Sequence, residues 1–121
     1  MSSGLELYDS RVSRIDLADG VAKIHFSHAC IHKSKATWSQ EAELVLLGTT
    51  IPGPLPPLPN TISAGFLEVG GIRHELIPLP FKRKVAARLY LQFVDGTEIE
   101  IVGEKPILEL LGRPIHLEDF S

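Results

Sequence analysis

Apolar and polar residues alternate along most of this chain, and the alternation restarts after each of three glycine-containing turns. The pair Asp19-Gly20 predicts a two-residue hairpin loop that sets Leu17 opposite Ala22 and Ile15 opposite Ile24 on an apolar side, with Asp16 facing Lys23 on a charged one. Gly70-Gly71 predicts a second hairpin, pairing Val69 with Ile72, Leu67 with His74, and Glu68 with Arg73 on the wet side. Around Asp95-Gly96 a two-residue loop sets Leu91 and Phe93 against Glu100 and Glu98, which mixes the faces. A three-residue loop with Gly96 left-handed pairs Phe93 with Thr97 and Leu91 with Ile99, keeps the faces apart, and is the expected turn.

The same alternation predicts strands over 11–17, 21–31, 37–47, 61–69, 72–79, 85–94, 97–102 and 107–111. Short, mostly antiparallel strands with frequent turns predict an all-β single domain over residues 1–121, built as a β-barrel or a two-layer β-sandwich. Residues 39–47 carry a competing signal, since Gln40, Glu41, Ala42, Glu43 and Leu44 are good helix formers; Val45, Leu46 and Leu47 need burial either way. A short last-turn helix over 117–120 is a second helical option. The proline-rich segment 52–59 cannot join a central strand, because prolines donate no ladder hydrogen bonds, and is expected to be a stiff crossover between two parts of the sheet. Within it Pro54 and Pro57 have the spacing of ligands for aromatic-lined grooves, which makes both candidate interaction residues, although no basic residue lies nearby to orient such docking.

Length and charge narrow the options. A chain of 121 residues can bury roughly 60 to 68% of its unfolded surface, so neither disulfide nor metal is required for folding. Twelve basic against fifteen acidic residues give no broad positive field, which disfavours nucleic acid and anionic membranes as partners. A single cysteine, no basic or apolar leader in residues 1–10, and no long apolar run together predict a cytoplasmic setting. The slightly positive mean hydropathy has two readings: apolar surface left over for a subunit interface, most simply a homodimer, or loops whose Pro, Ala and Leu raise the average.

The residues with metal-binding chemistry cluster in His28-Ala-Cys30-Ile-His32. Side chains two apart on a strand share a face, and these three continue the inward row of Ala22, Ile24 and Phe26. His74 is expected inside its own hairpin, among Leu67, Val69, Ile72 and Leu76. Two imidazoles, a thiolate and a third imidazole suit zinc or nickel if they converge at one barrel mouth. The alternative is that Cys30 packs as a small apolar side chain and His28 and His32 sit at a strand end open to water. Lys82, Arg83 and Lys84 form a basic tip able to hold a phosphate or an acidic partner loop, or simply an exposed turn. Trp38 is a barrel-end plug or an interaction anchor. His25 falls on the outer face with Lys23, and neither it nor His116 is given a role. No nucleophile elbow, phosphate-cradling loop or carboxylate triad is present.

The opening Leu7-Tyr8-Asp9-Ser10-Arg11-Val12, followed by the Asp19-Gly20 hairpin, resembles the start of small all-β bacterial domains in uncharacterised families, some of them regarded as immunity proteins, where His-Asp-Ser-x-Val begins the first strand. Tyr8 stands in place of that histidine, and the resemblance covers the first strands only. It implies a compact β domain that acts by binding, with no assigned reaction. The expected function is therefore a non-enzymatic module, without a cofactor, that recognises a protein or small ligand through Trp38 and the proline-rich segment; the alternative is a metal-dependent or ligand-binding barrel using His28, Cys30, His32 and His74.

Overall fold

The computed structural model of the chain describes residues 3–51 and 53–119. Among these, nine strands follow in order: β1 (Gly4–Ala18), β2 (Val21–Lys33), β3 (Ala36–Thr50), β4 (Asn60–Val69), β5 (Ile72–His74), β6 (Leu76–Pro78), β7 (Phe81–Lys82), β8 (Ala86–Phe93) and β9 (Glu98–Asp119). They pair in the order β5-β4-β8-β9-β3-β2-β1-β6, and β4 also pairs with β1 through Arg11↔Thr61 and Val12↔Asn60. That last pairing closes a six-stranded barrel from β1, β2, β3, β9, β8 and β4. The protein is all-β, and of the two expected architectures it is the barrel. Among the described residues no helix is long and apolar enough to cross a membrane.

All three glycine hairpins form in the expected register. Leu17 pairs with Ala22 and Ile15 with Ile24; Val69 pairs with Ile72 and Leu67 with His74. At the third, the Phe93 amide donates to the Thr97 carbonyl (2.8 Å) and Gly96 has φ 89°, so the three-residue loop with a left-handed glycine is present. Residues 39–47 lie within β3, not a helix, because β2 and β9 hydrogen-bond to both edges and outweigh the helical propensity of Gln40 to Leu44. Residues 117–119 likewise belong to β9, so the last-turn helix is not formed there, and Phe120 lies outside the described residues. The expected strands 97–102 and 107–111 are one strand of 22 residues.

Alternation places Ile15, Ala22, Ile24, Phe26, Ala42, Leu44, Leu46, Ile62, Leu67, Leu89, Leu91, Phe93, Ile99 and Ile101 in the barrel interior, nearly all fully buried. The crossover from β3 to β4 joins strands that are not neighbours, as expected, and Ile51 and Leu58 of it pack on the core while Pro56 is buried. Pro52 lies outside the described residues.

Beyond the barrel, the first residues of β1, the last of β2, the first of β3 and the last of β9 continue to pair with one another, forming a sheet extension. The expected strand 72–79 is split at Glu75 because the chain changes partner there. β5 pairs with β4, whereas β6 pairs with the start of β1, and β7 then pairs with β9 through Phe81↔Leu108. Residues 76–82 thus cross from one side of the extension to the other as a strap. Ile77 and Phe81 of the strap are buried against Leu5, Ile31 and Leu108 in the same continuous core, with Leu79 partly buried beside them.

Candidate functional site

A bulge in β2 decides which side chains can meet. Phe26 pairs with Ala42 and Ala29 with Gln40, so two residues of β2, Ser27 and His28, stand against the single Glu41 of β3. One extra residue exchanges the faces of everything that follows. Ala29 and Ile31 become the buried row, His28 is exposed, and Cys30 and His32 are half-buried on the outer side. The expectation that His28, Cys30 and His32 extend the inward row of Phe26 is therefore corrected. The bulge bends the strand where it leaves the barrel for the extension, which is the usual place for one.

On that outer side Glu6 of β1 pairs with Cys30, and Gly4 with His32. A Glu6 carboxylate oxygen, the Cys30 sulfur and a His32 ring nitrogen lie within 4.8 Å of one another, and His32 Nε2 is 3.0 Å from Glu6 Oε1. The side chains of Glu6 and His32 keep 39% and 29% of their surface exposed, so the group is open to solvent. This is a set of donors able to hold a metal, and Glu6 belongs to it although no pattern of residues along the chain singles it out. His28 is instead 3.2 Å from Ser27 Oγ, and His74 packs edge-on against Phe81 at 5.9 Å; neither joins the donor group, so the four-residue convergence is not formed.

The inner side of the extension carries a different feature. Between the strap and the sheet lies a cleft of about 350 Å³, floored by Ile31, Trp38, Leu79, Pro80, Leu110 and Pro114, with Lys33, Ser34 and Gln40 among its polar edges. Trp38 is half-buried. Its indole N–H donates to the Lys33 carbonyl (3.4 Å), and its ring meets His116 of β9 edge-on at 4.9 Å. The cleft keeps its shape because the strap is tied on both sides: the Leu79 amide donates to Ser3 (3.0 Å) and the Arg83 amide to Pro106 (3.1 Å).

Past Leu108, β9 has β3 on one side and, among the described residues, no strand on the other. Ile115 and Leu117 on this stretch are 62% and 55% exposed. Gly112, with φ 66°, and Pro114 interrupt the ladder, so the open edge is short as a template for indiscriminate strand pairing.

The other expected interaction residues are separate from this cleft. Pro54 and Pro57 are exposed, but Pro54 borders a second depression with Ile51, Tyr90 and Glu98, at the opposite end of β3 from Trp38. Lys82, Arg83 and Lys84 are exposed where the strap ends. Arg83 lies back over the Phe81 ring (4.8 Å) and donates to the Lys82 carbonyl.

The barrel's outer face is a charge-paired ladder. Hydrogen bonding from Arg73, with Arg88 nearby, holds the Glu68 carboxyl below its usual range; Glu100 raises the Arg88 guanidinium, and Glu98 raises the Tyr90 phenol by accepting its hydrogen bond at 2.8 Å. Arg73 and Arg88 also lie over Phe66, at 4.3 and 5.2 Å. Aromatics flanked by arginines are the ingredients of a nucleic-acid platform, but here carboxylates already engage both guanidiniums.

His25, to which the sequence assigned no role, is buried on the outer side of β2, with Nε2 2.7 Å from Glu41 and Nδ1 3.8 Å from Glu43. Its position opposite Glu43 follows from the Ile24↔Leu44 register, which depends on the β2–β3 hairpin at Ser34-Lys35 and on the one-residue shift at the Ser27-His28 bulge.

Comparisons with family models, with curated proteins and with solved structures find no match for this chain.

Proposed function

We propose that this protein is a non-enzymatic recognition module whose binding site is the Trp38 cleft, and that its partner is an apolar segment of a protein. The observation that carries this reading is the cleft itself: a concave, mostly apolar surface with an aromatic anchor and a few polar groups at its edge, held open by a strap tied to both sides. Binding sites have this composition because apolar burial supplies affinity and a few edge groups supply orientation. The edge of β9 past Leu108, which no strand covers among the described residues, adjoins the cleft at Leu110 and Pro114 and favours a protein segment over a compact small molecule, since an extended chain can run from the cleft along unpaired backbone. A second copy of the chain is the simplest such partner, which would give the homodimer anticipated from the hydropathy.

Trp38 is the only tryptophan, so its fluorescence reports on the cleft directly. Titration with an anilinonaphthalene sulfonate probe should give saturable energy transfer from Trp38, and Leu110→Asp should weaken it at least about tenfold by placing a charge of the probe's own sign in the cleft, a penalty of about 1.4 kcal/mol or more. Sedimentation of wild type and Leu110→Asp separates the partners: a dimer that dissociates in the variant assigns the cleft to a second copy, and a monomer in both assigns it to another protein. Probe binding that does not quench Trp38 and is unchanged in Leu110→Asp contradicts the reading.

A further inference from the structure

We propose that Glu6, Cys30 and His32 bind one zinc ion on the outer side of the sheet extension. The argument starts from the donor set. A thiolate, an imidazole and a carboxylate are the three ligand types that zinc takes, and the combination of sulfur with nitrogen selects a borderline thiophilic ion over calcium or magnesium.

Geometry supplies the second step. Three donors within 4.8 Å of one another, on two paired strands, are close to what a tetrahedral centre needs. From ordinary zinc bond lengths, neighbouring donors in such a centre stand roughly 3.3–3.6 Å apart. The 3.0 Å between His32 Nε2 and Glu6 Oε1 must widen slightly, and the sulfur draws in, movements within reach of side-chain torsions. The backbone is already fixed. Glu6 and Cys30 are direct cross-strand partners, His32 is two residues further along the same face, and the Cys30 amide donates to the buried Ser10 hydroxyl at 3.0 Å.

Binding replaces the Glu6–His32 hydrogen bond with two metal bonds: the proton that His32 Nε2 donates in that bond passes to Nδ1 by way of solvent, and the Cys30 thiol proton is released to solvent. Three protein ligands leave one tetrahedral position for water or for a donor from outside. The ion would also join the first residues of β1 to the end of β2, on the back of the strand whose Ile31 lines the Trp38 cleft. The site does not depend on what fills that cleft.

The test uses the full-length, untagged, chelator-stripped chain. Competition against a chromophoric zinc chelator should give one ion per chain, and cobalt(II) should produce the near-ultraviolet charge-transfer absorption of a cobalt–thiolate bond. Cys30→Ser should remove that absorption. His32→Ala and Glu6→Gln should each weaken zinc binding by more than the roughly 10- to 100-fold typical of outer-shell partners, and the exposed His28→Ala should leave it unchanged. Circular dichroism checks that each variant is folded, and the wild-type cobalt spectrum decides the matter even if one is not. Zinc that does not saturate at one per chain, wild-type cobalt binding without the thiolate absorption, or unchanged affinity in a folded His32→Ala overturns the proposal.

Discussion

The strap is the element on which the cleft depends, and Phe81→Ala tests whether it is held as described. Phe81 is 2% exposed, pairs with Leu108 of β9, and is flanked by His74 and Arg83. Truncating a buried phenylalanine costs about 3–5 kcal/mol, the sum of lost apolar burial and the cavity left behind. A total stability of about 5–15 kcal/mol leaves the variant folded or marginal. With an unfolding entropy of about 2.1 cal/mol/K per residue over 121 residues, the expected fall in Tm is roughly 12–20 °C. Ile77→Val, on the same strap and fully buried, should cost only about 0.5–1.5 kcal/mol because a single methyl is lost. Urea unfolding followed by circular dichroism gives both values. Trp38 emission, recorded in the same samples before the transition, should shift to the red in Phe81→Ala as water reaches the cleft beside Leu79. A Phe81→Ala cost below about 1 kcal/mol, well short of a core phenylalanine, with Trp38 emission unchanged, would refute the view that the strap closes the extension.

Two further results are expected. Glu41→Ala leaves the buried His25 Nε2 without its 2.7 Å partner and should cost about 1–3 kcal/mol in urea unfolding, whereas Glu43→Ala, whose oxygen is 3.8 Å from Nδ1, should cost less. In the third hairpin the Thr97 hydroxyl, followed by the Thr97 backbone N–H, holds the Asp95 carboxyl below its usual value. A folded-state pKa lower than the unfolded one adds stability that is present above the unfolded value and lost as pH falls through the lowered one. The Tm difference between wild type and Asp95→Ala should therefore be largest near neutrality and narrow as pH drops below the ordinary carboxylate range; a difference that is constant down to strong acid would contradict this.

What could be read from the sequence, and what could not, divides along physical lines. Hairpins whose turns hold glycine were legible, because Asp19-Gly20 and Gly70-Gly71 demand left-handed backbone and fix the pairing next to the turn, out to Arg14↔His25 in the first and Leu67↔His74 in the second. The β2–β3 hairpin uses the same conformation at Ser34 and Lys35, with φ 54° and 62°, without glycine to announce it. Its register was therefore not available, and neither was the pairing of His25 with Glu43. The bulge at Ser27 and His28 lies where β2 passes from barrel to extension, a place set by tertiary pairing with no local signature, and it moved Cys30 and His32 to the outer face. Cys30 and His32 were recognisable by residue type; Glu6 was not, since its place beside them depends on β1 pairing with β2 beyond a second irregularity between Glu6 and Arg11. The cleft was partly legible through Trp38 alone. Its other walls, Leu79, Leu110 and Pro114, come together only when the strap crosses the extension.

Recognition through the Trp38 cleft is tested most directly by a ¹H–¹⁵N spectrum of the protein titrated with the anilinonaphthalene sulfonate probe. The account predicts that the Trp38 indole N–H and the amides of Ile31, Lys33, Leu79 and Leu110 move together and saturate together, while Thr97 and Tyr90 stay in place. Shifts concentrated instead at Ile51, Gly53, Tyr90 and Glu98, around the depression beside Pro54, would contradict it and move the binding site to the far end of β3.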